Sequence, residues 1–237
     1  MEISLSLQQG KFTFKNLKNG GNDFIVAAAG GRKPELNWFK QAALGKQVYC
    51  ADRGVEICLD AGIKPQLLCG DADSAGTYYL RQARDEKIKT LLFNPAKDDT
   101  DLQLLLQNLP QDKNLLITGI WGGRFDHLYS NVFSLYAYKK NTGAAVIMAD
   151  ETEIMILLTP GESLEFMPII SFTALSLLPL ADSRVSLTGT RWPLDNTELL
   201  LSRPYAVSNE ITDAKVTAAC HDGCIGFYLK TAGKELL

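Results

Sequence analysis

The sequence predicts an α/β N-terminal domain with a parallel, Rossmann-like sheet, followed by a small all-β sandwich domain. Between residues 24 and 149, six short strands that are apolar throughout alternate with helical segments, which is typical of a parallel sheet covered on both faces. After about Asp150, short segments are separated by Gly, Pro, Asp and Asn, and no helical period is present. We therefore expect domains at 1–150 and 151–237.

The elements of the first domain are predicted from the points where apolar runs meet glycine, proline and polar residues. Residues 1–20 alternate weakly around Gln9-Gly10 and indicate a hairpin or an edge strand of uncertain attachment. The predicted parallel strands are Phe24–Ala29, Val48–Ala51, Leu67–Cys69, Thr90–Phe93, Leu115–Thr118 and Ala145–Met148. The predicted helices are Pro34–Leu44, a short one ending at Leu59, one near Thr77–Lys87, Thr100–Leu109 and one that begins at Asp126.

The second domain is predicted as an antiparallel β structure because its segments are short and bounded by turn residues. Its predicted strands are Ile154–Leu158, Ser163–Phe166, Phe172–Leu177, Val185–Leu187, Leu199–Leu201, Lys215–Ala218 and Ile225–Leu229. No low-complexity linker separates it from the first domain, so we expect the two to pack together.

Composition excludes several classes of partner. The chain of 237 residues is 46% hydrophobic and 22% charged, as expected for a soluble globular protein. Its net charge of −3 and the lack of a basic block do not indicate binding to nucleic acid or to an acidic membrane. Residues 1–7 lack the basic and long apolar regions of a signal peptide, and no stretch has the apolar length that spans a bilayer, so we expect neither feature.

The five cysteines are odd in number, and three lie in or beside apolar runs, where free cysteine behaves as a small hydrophobic residue. This usage predicts a reduced, cytoplasmic protein. Cys220 and Cys224 flank His221 and could suggest a metal site, but no second cluster completes four ligands. A hairpin turn at Asp222-Gly223 is the preferred interpretation.

Three polar clusters follow predicted strands, and the first is Gly70-Asp71-Ala72-Asp73-Ser74. Residues two apart in a strand point the same way, so Asp71 and Asp73 would present adjacent carboxylates beyond the strand end. Two such carboxylates repel each other unless a cation lies between them, and divalent cations prefer oxygen ligands. Gly, Asp and Ser are also the commonest turn residues, so a plain turn remains open from these residues alone.

The second cluster is Lys97-Asp98-Asp99-Thr100-Asp101. Thr100 with Gln103 forms a predicted capping box, and acidic residues near a helix start suit the helix dipole. Helix capping accounts for Thr100 and for one acid, but not for three aspartates and Lys97 that follow a strand of the same predicted sheet as Asp71 and Asp73. We therefore expect at least one of these three aspartates to be functional.

The third cluster is Gly122-Gly123-Arg124-Phe125-Asp126-His127. Asp126 would be a reasonable N-cap, but glycines before an arginine at a helix start also form an anion-binding arrangement. Carboxylates for Mg²⁺, an arginine and a glycine-rich turn are the groups that phosphoryl transfer needs. The sequence has no G-x-x-x-x-G-K-[ST], so this is not a P-loop enzyme.

These three clusters, in this order, resemble the thiamine pyrophosphokinase family. Residues 189–194 (GTRWPL) and 206–210 (AVSNE) resemble the thiamine-binding domain of that family. The sequence departs from the family pattern at Ala72, where a large apolar residue is usual, and at Arg53, where some members have glycine.

The resemblance implies transfer of the pyrophosphoryl group of ATP to the thiamine hydroxyl, which releases AMP. It implies that Asp71, Asp73 and Asp101 hold Mg²⁺ and take part in catalysis together with Arg124. It also implies two sets of binding residues, which would contact the nucleotide (Asp52, Arg53, Thr100, Arg124, Asp126 and His127) and thiamine (Ser208, Asn209 and Trp192). The resemblance further implies a homodimer whose active sites are formed between the subunits.

Two other functions fit part of the sequence. A sugar-nucleotide glycosyltransferase would use Asp71 and Asp73 for its metal, but it leaves the Gly122–His127 cluster and the β domain without a role. A non-catalytic nucleotide-sensing module would use the β domain to bind a partner. Release of AMP from ATP, with and without thiamine, separates these functions.

Overall fold

The computed structural model describes residues 2–18, 21–70, 76–93 and 98–232. The chain divides into two compact units. Residues 21–150 form one unit, and residues up to 20 together with those from 151 onward form the other. The sequence-based division placed residues 1–20 in the N-terminal domain, and the structure corrects that placement.

The strands and helices, in chain order, have the following bounds. The strands are β1 Glu2–Leu7, β2 Gly10–Lys15, β3 Phe24–Ala28, β4 Val48–Ala51, β5 Leu67–Gly70, β6 Thr90–Leu92, β7 Asn114–Thr118, β8 Val146–Ala149, β9 Glu153–Leu158, β10 Ser163–Pro168, β11 Phe172–Pro179, β12 Ser183–Thr188, β13 Leu194–Leu199, β14 Val216–Asp222 and β15 Ile225–Thr231. The helices are α1 Leu36–Ala43, α2 Gly54–Asp60, α3 Thr77–Asp85, α4 Asp101–Asn108 and α5 Phe125–Thr142.

In the α/β unit, six strands are paired in parallel in the order β6-β5-β4-β3-β7-β8. Every residue of β3, β4, β5, β7 and β8 is buried, which explains why these strands are almost entirely apolar. The strand order reverses between β3 and β7. Ligands of such sheets bind beyond the carboxyl ends of the strands at this switch point.

The β unit has two layers. One is a six-stranded sheet in the order β1-β2-β10-β14-β12-β13, and in the other β11, β15 and β9 pair antiparallel. The ring of Phe166 in the first layer lies 5.4 Å from that of Phe172 and 6.3 Å from that of Phe227 in the second. The strand predicted at Leu199–Leu201 instead ends at Leu199, where it is β13.

Residues 1–20 belong to the β unit because β1 and β2 form a hairpin with a buried apolar face. β2 pairs antiparallel with β10, with Phe12 opposite Phe166 and Phe14 opposite Leu164. The rings of Phe12 and Phe166 stack with centroids 4.6 Å apart. This burial stabilises the hairpin in the β unit, although about 150 residues of chain separate the two paired strands.

The five cysteines are free and buried. The turn at Asp222-Gly223 does not make a hairpin, because β14 and β15 lie in different layers. Gly223 has a φ of 78° and connects the two layers. Among the helices that the structure describes, none is long and apolar enough to cross a membrane.

The hydroxyl of Tyr138 on α5 is buried and has no hydrogen-bond partner among the described residues. Burial, with a smaller contribution from Asp112, raises the pKa of Tyr138 to about 12. We expect Tyr138→Phe to raise the free energy of unfolding by about 1 kcal/mol, because it removes a buried hydroxyl that bonds to nothing. Urea unfolding at neutral pH measures the change.

The matched control is Tyr49→Phe, which removes a hydroxyl that donates to Oε1 of Gln47 at 3.3 Å. That variant should lose stability.

Because the folded-state pKa of Tyr138 lies above 10.0, its neutral form contributes stability that is lost as the pH rises through about 12. A Tyr138→Phe protein less stable than the parent at neutral pH would contradict the assignment.

Candidate functional site

The carboxyl ends of three neighbouring strands form one rim of the α/β unit. Asp52 follows β4 with a φ of 54°, and its backbone N–H donates to the carbonyl of Cys69 on β5 at 2.8 Å. Gly30 follows β3, and a Cβ at this position would lie 3.3 Å from Oδ2 of Asp52. A Cβ at Gly70, the last residue of β5, would lie 3.5 Å from the Asp52 backbone. The Asp52 carboxylate therefore lies at this rim, close to the Gly30 backbone.

At the switch point, the loop after β3 is bonded to the loop after β7. The N–H of Gly31 donates to the carbonyl of Gly119 at 2.6 Å, and the N–H of Arg32 donates to that of Trp121 at 2.5 Å. Gly119 has a φ of 69°, and a Cβ there would collide with the carbonyl of Ala29. Only glycine therefore allows this close approach of the two loops.

Arg32 and Asp150 form an ion pair that the sequence-based reasoning did not single out. Nε and Nη2 of Arg32 donate to Oδ2 of Asp150 at 2.9 and 2.6 Å. The Asp150 side chain is 0% exposed and that of Arg32 is 36% exposed. The pair fixes the Arg32 loop to the end of β8. Only a weak indication of this pair was present in the sequence, because all it showed was that Arg32 and Asp150 each follow a predicted strand.

Arg53 lies at the start of α2 and is exposed. Its Nε donates to Oε1 of Glu56 at 3.4 Å, and the same carboxylate oxygen accepts from the N–H of Gly76 at 3.4 Å. Glu56 therefore connects the first turn of α2 to the residue that precedes α3. Arg53 and Asp52 are adjacent at the strand-end rim, and their contact with a nucleotide stays a prediction.

Asp71 and Asp73 lie outside the described residues, so their predicted metal site stays a prediction. Asp101, the third predicted ligand, is the first residue of α4 and is half-buried. Within the part of the chain that the structure describes, no group of three His, Cys, Asp or Glu side chains could hold a metal ion.

Thr100 caps α4 as the sequence predicts. Its Oγ1 accepts from the N–H of Gln103 at 3.2 Å, and its own N–H donates to Oε1 of Gln103 at 2.8 Å. Nε2 of Gln103 also donates to Oγ of Ser134 at 3.1 Å, which joins α4 to α5. Capping therefore occupies the Thr100 hydroxyl and orients the first turn that carries Asp101.

The Gly122–His127 cluster forms an exposed turn at the start of α5. Gly122 and Gly123 have φ angles of 75° and 71°. Nε and Nη2 of Arg124 donate to the two carboxylate oxygens of Asp126 at 3.1 and 2.5 Å, and the N–H of His127 donates to Oδ1 of Asp126. The side chains of Arg124 and Asp126 are 74% and 61% exposed. The turn therefore presents a guanidinium to solvent beside the N-terminal end of an 18-residue helix.

Electrostatics keep this pair ionised. The hydrogen bond from Arg124 is the largest cause that lowers the pKa of Asp126, and the same hydrogen bond raises the pKa of Arg124. Both groups are exposed, so solvent screens the pair and it contributes little to stability. An incoming anion can therefore compete for the guanidinium at small cost in folding free energy.

In the β unit, the structure brings together the three predicted thiamine-binding residues. Trp192 is half-exposed, and both its N–H and its carbonyl are bonded to the Asn209 amide, at 3.1 and 2.7 Å. Ser208 is exposed with a φ of 56°, and its N–H donates to Oγ of Ser176 at 3.1 Å. The Ser208 hydroxyl and the Trp192 ring are thus both at the surface of the same turn region.

Comparisons with known proteins agree with these two units. Residues 40–148 match the family model of the thiamin pyrophosphokinase catalytic domain, and residues 163–225 match that of the thiamin pyrophosphokinase vitamin B1 binding domain. Thiamine pyrophosphokinase of Bacillus subtilis (strain 168) is 29% identical over 178 residues, which are 73% of this chain and 82% of that protein. The glycosyltransferase and nucleotide-sensing alternatives are not favoured by these matches.

Solved structures give the same result. The crystal structure of thiamine pyrophosphokinase from Bacillus subtilis matches with a TM-score of 0.76 and 27% identity, and the match covers 88% of this chain and 99% of that one. The structure of thiamin pyrophosphokinase from Geobacillus thermodenitrificans matches with a TM-score of 0.73 and 22% identity over 90% of this chain and 100% of that one. The latter likeness supports the two-domain fold alone.

Proposed function

The chain belongs to the thiamine pyrophosphokinase family, and from this premise we propose how its residues divide the reaction between the two units. The enzyme transfers the pyrophosphoryl group of ATP to the hydroxyl of thiamine, which gives thiamine diphosphate and AMP. The observation that carries this function is the match of a catalytic and a vitamin B1 binding domain, in order, to the α/β and the β unit.

The α/β unit binds ATP in a Rossmann-like manner, beyond the carboxyl ends of its parallel strands. The loops after β3 and β7 meet at the switch point, where dinucleotide and nucleotide ligands usually lie. Arg124, Asp126 and His127 contact the phosphates from the start of α5, and Asp52 and Arg53 contact the nucleotide from the neighbouring rim. The helix dipole and the Arg124 guanidinium both favour a polyanion there.

Mg²⁺ accompanies ATP in this proposal. The donor set of Asp71, Asp73 and Asp101 has the oxygen chemistry that this ion prefers, and the position of Gly70 at the end of β5 supports a site at the rim beside Asp52. When bound, Mg²⁺ neutralises phosphate charge and screens it from the acidic rim. The capped first turn of α4 holds the backbone of Asp101, which would supply the third carboxylate ligand.

In the transfer step, the thiamine hydroxyl oxygen forms a bond to the β-phosphorus, and the bond from that phosphorus to the oxygen that leaves with AMP breaks. The hydroxyl proton passes to a nearby aspartate carboxylate of the rim late, when the new bond is largely formed. Arg124 stabilises charge on the phosphates through its two-pronged guanidinium. Catalysis by these residues consists mainly of holding the hydroxyl and the phosphate in line.

The β unit binds thiamine. Trp192 offers a half-exposed aromatic surface, which suits a flat ring cation, and the exposed hydroxyl of Ser208 can hydrogen-bond to the pyrimidine half. Glu210 lies beside this surface and adds negative charge, although Arg191 partly neutralises it. A cytoplasmic location, expected from the cysteines, remains part of the proposal.

Measurement of AMP release from ATP with and without thiamine tests the proposed function. We expect AMP to appear only when thiamine and Mg²⁺ are both present, in equal amount to thiamine diphosphate. A transfer enzyme of this type would not release ADP. Thiamine-independent AMP release, or ADP as the product, would refute the proposal.

We propose in addition that the enzyme is a homodimer with each active site at the subunit interface. Phe125 and Tyr129 on the first turns of α5 are exposed, and their rings lie 6.2 Å apart. The half-buried Phe133 continues the row, with its ring 4.7 Å from that of Tyr129. Exposed apolar surface of this kind is typical of an interaction site. The row begins at the residue next to Arg124, so a partner there would lie beside the phosphate site.

Mixed dimers test the shared site. An Asp73→Asn subunit and a Trp192→Ala subunit, each inactive or strongly impaired alone, should together recover part of the activity, because one site of each mixed dimer then has two intact halves. Differently tagged subunits, co-expressed and purified through both tags, provide the mixed dimer. The control is the mixture of two Asp73→Asn subunits. No recovery in a purified mixed dimer would mean that each chain builds its own site.

A further inference from the structure

The side-chain amide of Asn209 is fully used within the protein. Its Nδ2 donates to the carbonyl of Trp192 at 2.7 Å and to Oγ1 of Thr190 at 3.3 Å. Its Oδ1 accepts from the N–H of Trp192 at 3.1 Å and from that of Glu210 at 2.9 Å. An amide has two donor hydrogens and two acceptor lone pairs, so these four bonds fill its capacity. Asn209 is also buried, which leaves a substrate little to contact.

Asn209 is itself fixed to a strand of the β unit. Its N–H donates to the carbonyl of Leu175 on β11 at 2.7 Å, and its carbonyl accepts from the N–H of Leu175 at 2.9 Å. The preceding residue, Ser208, donates its N–H to Ser176 on the same strand. The Asn209 side chain therefore links the main chain of Trp192 to β11.

The Trp192 ring has a second support. The guanidinium carbon of Arg191 lies 5.0 Å from the centroid of the indole, within the range of a cation–π contact. Nη1 of Arg191 also lies 3.2 and 3.0 Å from the two carboxylate oxygens of Glu210, the residue after Asn209. Trp192 as a whole residue is 53% exposed, although both its N–H and its carbonyl are bonded to Asn209.

We propose that Asn209 is a positioning residue, which holds the main chain of Trp192 so that the indole is presented to thiamine, and that it does not contact the substrate. The inference rests on the proposed function, since it assumes that Trp192 meets the thiamine ring. It replaces the expectation from the sequence resemblance, in which Asn209 binds the substrate directly. The physical reason is that a stacking ring loses affinity when its backbone is free to move.

The test compares kinetics with the fluorescence of Trp192 in the full-length protein. The chain has three tryptophans, and Trp38 and Trp121 are only 1% and 5% exposed, so quenching by acrylamide reports mainly on Trp192. Asn209→Ala should raise the KM for thiamine by about tenfold and leave the KM for ATP unchanged. The same variant should increase the acrylamide quenching constant about twofold, because the released indole becomes more accessible.

Asn209→Asp is the conservative variant, and it also serves if Asn209→Ala folds poorly. It keeps the acceptor oxygens for Trp192 and Glu210 but loses both donor hydrogens, so its KM for thiamine and its quenching should fall between those of the parent and of Asn209→Ala.

Asn114→Ala is the matched control. Asn114 is a buried asparagine whose amide bonds to the carbonyls of Gly21 and Asp23 and to the N–H of Ala145, at the amino end of β7 in the other unit. It should lower the Tm as Asn209→Ala does, but change neither the KM for thiamine nor the quenching.

A rise in the KM for thiamine without a change in quenching would mean that Asn209 contacts the substrate directly, and would overturn the inference. Unchanged values of both would also overturn it. If the proposed function itself is wrong, the result is different, because the parent protein then releases no AMP in response to thiamine. The quenching comparison needs no substrate, so it still decides whether Asn209 holds Trp192.

Discussion

Replacement of Asp73 by asparagine is expected to reduce Mg²⁺-dependent turnover by about a thousandfold or more while leaving the fold intact. The change keeps the size of the side chain and removes one of the negative charges that would hold the ion. Asp73 follows β5, whose last residue Gly70 lies beside the Asp52 backbone at the rim. Steady-state AMP release at saturating ATP and thiamine, over a titration of Mg²⁺, measures the effect.

The control for this variant is Asp85→Asn, which removes an exposed aspartate at the end of α3 in the same unit. It changes the net charge by the same amount and should leave turnover unchanged. Melting curves should show similar Tm values for the parent and for both variants. Turnover of Asp73→Asn close to that of the parent at millimolar Mg²⁺ would remove Asp73 from the metal site.

The elements of the α/β unit could be predicted from the sequence because burial acts on each strand locally. β3, β4, β5, β7 and β8 are buried along their whole length, so their sequences contain almost no polar residues, and glycine or proline often follows them. The capping box at Thr100 was predictable for a similar reason, since both of its members lie within four residues.

Features that depend on distant residues could not be predicted in this way. Arg32 and Asp150 are 118 positions apart, and nothing in the sequence near either one specifies the partner. The attachment of β2 to β10 likewise depends on long-range pairing of Phe12 with Phe166. Periodicity identifies a strand with one buried face, but it does not identify the strand that covers its edge.

In the candidate site, too, the placement of neighbouring residues was easier to predict than contacts between distant ones. The sequence placed Arg124, Asp126 and His127 in one turn, because they are neighbours in the chain. It did not predict the contact between Arg124 and Asp126, and Asp126 is not the N-cap, since α5 begins at Phe125. Nor did it predict the role of Asn209, which depends on its contacts with Trp192, 17 positions earlier. A polar residue in a motif can bind a ligand or hold another residue, and only the count of its hydrogen bonds separates the two.

For Arg124, a structural role and a catalytic role predict clearly different effects of substitution on stability and on turnover. In the structure its guanidinium is 74% exposed and bonds to both carboxylate oxygens of Asp126. That hydrogen bond lowers the pKa of Asp126, so the interaction is present above the usual carboxylate pKa and is lost only as the pH falls through the lowered value. Both partners keep their charge at neutral pH, and the pair is exposed, so a structural role would affect stability only slightly.

Arg124→Lys is therefore expected to lower kcat by about 10²-fold with little change in Tm, because lysine keeps the charge but loses the planar fork that binds two phosphate oxygens. The change is measured as AMP release at saturating substrates, and the Tm by thermal unfolding at the same pH. Arg81→Lys, at an exposed position on α3, is the matched control and should leave both values unchanged. If Arg124→Lys lowers the Tm and spares kcat, then Arg124 serves the turn before α5 through Asp126, and another group must stabilise the phosphates.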